Sequence, residues 1–196
     1  IEFAVNLDRD HRRKDPSRAI LPTFYLLQIR PLLTHGDEIV IEEVEMKSKE
    51  TILVASQAMG NDEIMDIEDI VFVKPEAFDK TQTSTIAQQV AAINEKMKKN
   101  DKRYVLIGPG RWGTRDRFLG IPVQWGEINR AKVIVEVGLP DFTVEASQGT
   151  HFFHNLLALN VGYLTVPYRK DEKTIDYDWM AKQTVQEETK HLLHVR

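Results

Sequence analysis

The spacing of apolar and polar residues changes along this chain and marks out its elements. Residues 1–7 (IEFAVNL) and 23–29 (TFYLLQI) alternate as half-buried strands do, around a charged segment at 8–18 that contains Pro16. That pattern predicts a β-hairpin. Two strands alone are only marginally stable, so the hairpin is a poor candidate for an independent domain. Pro31 closes it, and residues 32–37 read as a connector. Short strand-like runs follow at 38–44, 51–56 and 70–73, with Gly60-Asn61-Asp62 as a turn. In residues 81–100 the period lengthens: Ile86, Val90, Ile93 and Met97 recur at helical spacing, and lysines gather near the end, where they complement the helix dipole. Residues 103–107 read as a buried strand, 126–132 as a short helical turn, and 133–137 as a second buried strand. A helix over 149–160, a strand over 163–166 and a terminal helix over 178–195 complete the reading.

Strands alternating with helices from 81 to 166 imply βαβ units. The predicted fold class is therefore α/β, with a mostly parallel sheet and flanking helices on both faces. The hairpin, residues 1–33, precedes it, and the α/β domain takes residues 34–196. In such sheets ligands bind beyond the carboxyl ends of the strands.

One segment satisfies that rule directly. The strand at 103–107 runs into Gly108-Pro-Gly-Arg-Trp-Gly-Thr-Arg-Asp116, which holds Gly108, Gly110, Arg111, Gly113, Thr114 and Arg115. Glycines let the backbone approach a ligand closely, and unpaired N–H groups beside two guanidinium forks favour an anion. A phosphate or carboxylate is the ligand such a loop suits. The spacing matches neither the dinucleotide fingerprint nor the lysine-bearing phosphate loop. The same residues also suit a tight connection in which Arg111 or Arg115 pairs with an internal acid such as Asp116. Trp112 and Trp125 bracket the loop as core residues or as a lid.

Composition narrows the partners. The chain has 196 residues, 42% hydrophobic and 29% charged, as ordinary globular proteins do. A formal net charge of −4 argues against a nucleic-acid partner. The basic residues of the first loop (Arg9, Arg12, Arg13, Lys14, Arg18) are interleaved with Asp8, Asp10 and Asp15, as on a solvated loop. No apolar run reaches membrane-spanning length and no signal peptide opens the chain, so no membrane partner is expected. The absence of cysteine excludes disulfide and thiolate chemistry and suits a cytoplasmic protein. An initial Ile in place of Met predicts a piece of a longer chain.

Glu2-Phe3 in one strand and Leu27-Gln28-Ile29-Arg30-Pro31 in the next resemble the end of the nucleotide-binding domain of the phosphoenolpyruvate synthase and pyruvate phosphate dikinase family. There, an IE[FW] strand and a Q-[ATI]-R strand close an ATP-grasp site. The resemblance implies that Glu2 binds magnesium or nucleotide and that Gln28 and Arg30 face the ATP phosphates. A carboxylate is a hard ligand for Mg2+, and arginine neutralises phosphate charge during phosphoryl transfer. Two departures stand out: the insertion at 8–18, and the absence of the family's glycine-rich and lysine-bearing parts from this sequence. The runs GPGRWGTRD, LGIPVQWGEI and SQGTHFFHNL are similar to the C-terminal region of large bacterial proteins with a PEP/pyruvate-binding domain.

Histidines supply the remaining candidates. Thr150-His151 follows Ser147-Gln-Gly and resembles the T-[SC]-H-A turn that carries phosphate in that family, although Phe152 and Phe153 replace the small residues. A helix N-terminus would favour a phosphorylated imidazole. The alternative is a half-buried histidine near a cap. His151 and His154, and likewise His191 and His194, are spaced to share a helical face, as a metal site requires, but neither pair has a third ligand at a recognised spacing. Glu136 within VIVEV is available to pair with an arginine of the glycine loop. The expectation is thus a fragment of an ATP- and Mg2+-dependent phosphotransferase, a kinase-type enzyme, inactive alone and joined to the remaining domains of its parent chain. Its α/β domain would hold a small molecule: a nucleotide, pyruvate or phosphoenolpyruvate. The competing expectation is a non-catalytic ligand-sensing or interaction domain.

Overall fold

The computed structural model describes residues 2–6, 23–28, 41–55, 57–59, 63–144, 155, 156, 158–170 and 174–196. The chain divides into two units, residues 1–34 and 35–196. In the first, β1 (Glu2–Asn6) pairs antiparallel with β2 (Thr23–Gln28), opposing Val5 to Phe24 and Glu2 to Gln28. Val5, Phe24 and Leu26 are all exposed apolar side chains on this hairpin.

The second unit is α/β. After a single helical turn, α1 (Glu43–Met46), come β3 (Gln57–Met59), β4 (Asp69–Val73), α2 (Thr83–Lys99) and β5 (Tyr104–Pro109). The short strands β6 (Arg111–Trp112) and β7 (Gly120–Ile121) lead to β8 (Ala131–Val137) and β9 (Gly162–Val166). Then follow α3 (Tyr177–Ala181), β10 (Val185–Glu188) and β11 (Leu192–Val195). One seven-stranded sheet runs in the order β10-β11-β4-β5-β8-β9-β3. Its centre, β4 to β9, is parallel, and both flanks are antiparallel.

The central strands are apolar almost throughout because both of their faces are covered. On one face Val71, Val73, Leu106, Ile134 and Tyr163 meet the α2 stripe of Ile86, Val90, Ile93 and Met97, as the helical period predicts. On the other, Phe72, Ile107, Val135, Val166 and Leu193 pack with Ile175 and Met180. Helical cover is fuller on the first face: α2 has 17 residues and α3 has 5. Expected flanking helices on both faces are thus realised only in part. Among the described residues, no helix is long and apolar enough to cross a membrane.

The helix expected over 178–195 is replaced by the short α3 and a β-hairpin. The edge of β4 needs backbone partners, and β11 supplies them antiparallel, with Leu192 opposite Val73 and Val195 opposite Ile70. Thr189 Oγ1 closes the hairpin turn by accepting the N–H groups of His191 and Leu192. Sheet pairing here overrides helical spacing. The strands expected at 38–44 and 51–56 also shift. Residues 43–46 form α1, Leu53 makes only an isolated bridge to Ile175, and the edge strand is β3. The helical turn expected at 126–132 is a 3-10 turn, Trp125–Glu127, because β8 already begins at Ala131. Of the helix expected over 149–160, residues 155, 156 and 158 are helical, and 149–154 lie outside the described residues.

A polar hub locks α2 to the sheet. Asn94 is fully buried; its Nδ2 donates to Gly126 O and Asn129 Oδ1, and its Oδ1 accepts the Tyr104 hydroxyl and the Arg130 N–H. Asn94→Ala leaves those two donors without an acceptor inside the protein. Urea unfolding of this variant is expected to show a loss of about 2–4 kcal/mol.

Candidate functional site

The glycine loop begins where β5 ends, at the carboxyl edge of the parallel strands. Gly110 (φ +68°) and Gly113 (φ +80°) adopt left-handed backbone that other residues reach only with strain. Between them the chain folds back as β6 alongside β7. Gly110 N–H donates to Val137 O at 2.9 Å, Arg111 N–H to Leu119 O at 2.8 Å, and Gly113 N–H to Ile121 O at 2.9 Å. Trp112 N–H donates to Glu136 Oε1 at 2.9 Å. These four amides hold the loop in place, so they are not the unpaired donors that the sequence suggested for an anion. Any ligand at this edge is left to the side chains.

Packing accounts for two of the glycines. A Cβ at Gly108 would collide with the Trp112 ring, and one at Gly110 with Phe142. Trp112 is 1% exposed, and its Nε1–H donates to Val135 O, which makes it a core residue rather than a lid. Beneath the loop lies Glu136, wholly buried on β8 and beside Gly108 in the register. It reaches the loop through the Trp112 N–H, and its Oε2 accepts the Tyr163 hydroxyl. Thr165, the neighbour of Glu136 on β9, has a buried Oγ1 with no partner among the described residues.

Above this base, the loop turns on its own side chains. Thr114 Oγ1 accepts the Asp116 N–H, and Asp116 Oδ1 accepts the Phe118 N–H. Asp116 is thereby engaged with its own turn. Arg111 is half-buried, while Arg115 is exposed and pairs with no carboxylate among the described residues. The Arg117 guanidinium lies 5.1 Å above the ring of exposed Phe118. Chemically, the edge can offer guanidinium groups and a hydroxyl to an oxyanion.

The other expected residues fall elsewhere. Glu2 and Gln28 face one another in the hairpin register, and Arg30 lies outside the described residues, as do His151 and His154. Among the described residues no group of three or more histidines and carboxylates could hold a metal ion. His191 and His194 do not share a helical face: His191 precedes β11 and His194 lies within it. His191 is 2% exposed, and both of its ring nitrogens are buried without a partner among the described residues. Burial, then the charges of Lys190 and Lys74, lower its pKa below the usual 6.5, against a weaker opposite pull from Asp79.

Sequence reasoning missed a second polar cluster, at the other end of the sheet. Asp69, 2% exposed at the start of β4, accepts hydrogen bonds from His194 Nε2 at 2.7 Å and Arg196 Nη2 at 2.8 Å. Burial pushes the Asp69 carboxyl upward, but the hydrogen bonds from Arg196 and His194 together outweigh it and hold the group below its ordinary 3.8. The partners lie 125 and 127 positions apart, so no local motif announces them. No protein-family model matches the chain, and comparison with curated proteins and with solved structures returns no match.

Two outcomes follow. Tyr163→Phe removes a donor from a buried carboxylate, and chemical denaturation is expected to register a loss of about 1.5–3 kcal/mol. For His191, the ring is neutral in both folded and unfolded chains well above pH 6.5, and it carries no penalty there. Below 6.5 the unfolded chain takes up a proton that the folded ring resists, so stability falls as the pH drops. His191→Leu is therefore expected to flatten the decline in melting temperature between about pH 6.5 and pH 5. An unchanged slope would show that another group carries it.

Proposed function

We propose that residues 35–196 form an anion-binding α/β module of an ATP-dependent phosphotransferase resembling phosphoenolpyruvate synthase and pyruvate phosphate dikinase. The observation that carries this reading is the glycine loop. Its backbone is fixed from below by Val137, Leu119, Glu136 and Ile121, at the sheet edge where α/β proteins bind ligands. Arg111, Thr114 and Arg115 stand on that fixed turn, and a fixed turn presents guanidinium groups to an oxyanion at low entropic cost. The ligand class is a phosphate or carboxylate: a nucleotide phosphate, pyruvate or phosphoenolpyruvate. In the parent chain Glu2 would hold Mg2+, while Gln28 and Arg30 would orient ATP phosphates, as the hairpin's resemblance implies.

A second reading, a non-catalytic ligand-sensing or interaction domain, draws on Glu136. The buried carboxylate nearest the loop is already committed to the Trp112 N–H and the Tyr163 hydroxyl, which suits a structural role better than proton transfer.

Calorimetric titration with ATP, pyruvate, phosphoenolpyruvate and phosphate separates the two. Binding of at least one of them, weakened tenfold or more by Arg111→Ala and Arg115→Ala together, is the expected result; no binding of any would leave the interaction reading. In the full-length parent, ATP-dependent phosphate incorporation is expected to be lost on Arg30→Ala. Unchanged incorporation would remove Arg30 from the phosphotransferase reading.

A further inference from the structure

Two exposed segments of the α/β unit carry opposite charge around apolar side chains. The first is the tip of the glycine loop, residues 115–119 (RDRFL), all five of them exposed and Phe118 as much as 62%. Its own turn holds it in shape. Leu119 N–H donates to Asp116 O at 3.0 Å, and Phe118 N–H donates to Asp116 Oδ1 at 2.8 Å. Asp116, the one acid of the tip, is thereby engaged within the turn, and Arg115 and Arg117 give the tip a positive balance.

The second segment is residues 41–46 (IEEVEM), which include α1. Ile41, Val44 and Met46 are exposed, Val44 to 77%. Glu42, Glu43 and Glu45 lie among them, ahead of Lys47 and Lys49. This turn too is ordered from within: Glu42 O accepts the N–H groups of Glu45 at 3.0 Å and Met46 at 3.2 Å, and Glu45 Oε2 accepts the Glu42 N–H at 3.3 Å.

Among the described residues neither apolar group is covered by its own chain, and clustered apolar exposure of this kind marks a surface that associates. Each segment offers what the other lacks. One presents an aromatic ring and a leucine edged by guanidinium groups; the other presents aliphatic side chains edged by carboxylates. Turns already fixed by internal hydrogen bonds lose little freedom on docking. Every copy carries both halves, so the partner that these charges select is the chain itself. A net charge of −4 repels copies at a distance, and only local charges of opposite sign overcome that.

We infer that this chain self-associates, with the 115–119 tip of one copy seated on residues 41–46 of another. Phe118 supplies the apolar anchor, and Arg115 and Arg117 pair with Glu42 and Glu45. The contact does not depend on any ligand at the glycine loop.

Sedimentation velocity of the full chain at low salt is expected to show the average mass rising above that of a monomer between about 10 and 500 µM, as a small transient interface gives. Raising the salt to about 0.5 M should weaken association severalfold. Arg115→Glu/Arg117→Glu and Glu42→Lys/Glu45→Lys, all at exposed positions, should each weaken it tenfold or more with an unchanged circular dichroism spectrum. Mixed in equal amounts, the two variants should associate to within about threefold of the wild type, because each tip then meets a segment of opposite charge. Mere damage to the fold would not be repaired by mixing. Phe118→Ser and Val44→Ser should weaken association while leaving its salt dependence in place. A chain that stays monomeric at every concentration overturns the proposal, as does association untouched by both reversals or not recovered on mixing. Association lost in Phe24→Ser but kept in both reversals would place the interface on the hairpin and overturn it equally. Glu42 and Glu45 lie outside the glycine loop, so a failed recovery here leaves the calorimetric result for Arg111 and Arg115 standing by itself.

Discussion

A carboxylate buried in the middle of a parallel sheet dictates the arrangement around it. Glu136 has no exposure, and an ionisable group in that position costs several kcal/mol unless donors surround it. One donor is the Trp112 N–H, which obliges the chain after β5 to fold back over β8. Another is the Tyr163 hydroxyl from the next strand. The fold-back lays the Trp112 ring where a side chain at 108 would stand, so position 108 must be glycine. The loop that looks like a ligand cradle is, in its backbone, a means by which a buried carboxyl group finds a hydrogen-bond partner. What remains for a ligand is the outer row of side chains.

The sheet's polarity separates two kinds of chemistry. At the carboxyl edge the amides of residues 110–113 are bonded internally, with Arg111 half-buried and Arg115 exposed. At the amino edge the charged side chains are paired with one another, Lys96 with Glu187 and Arg196 with Asp69, and the His194 ring is bonded to the same Asp69. The antiparallel hairpin of β10 and β11 builds that second edge, because it brings His194 and Arg196 alongside Asp69. With a helix over residues 178–195 those side chains would have had no common surface.

Local signals were reliable where burial and periodicity agree. The α2 stripe of Ile86, Val90, Ile93 and Met97 is the core face of a real helix, and the apolar runs of β5 and β8 are central strands. The hairpin of residues 2–28 follows its alternation as well. They were legible because helix and strand periods are written in consecutive residues. The glycine loop was legible as a turn for the same reason, since left-handed backbone at 110 and 113 calls for glycine directly.

The chain's own order of residues therefore determined the α/β class, the central helix, the principal strands and the place of the glycine turn. Only the tertiary structure decided that the amides of residues 110–113 are consumed internally, that Trp112 is core, and that residues 185–188 and 192–195 are strands. It alone joined Asp69 to His194 and Arg196. Each of these depends on which backbone edge or buried charge lacked a partner, and that is a property of the assembled sheet. Hydrogen-bond demand acts across a hundred or more residues, while periodicity acts across four, so the first had to await the fold and the second did not.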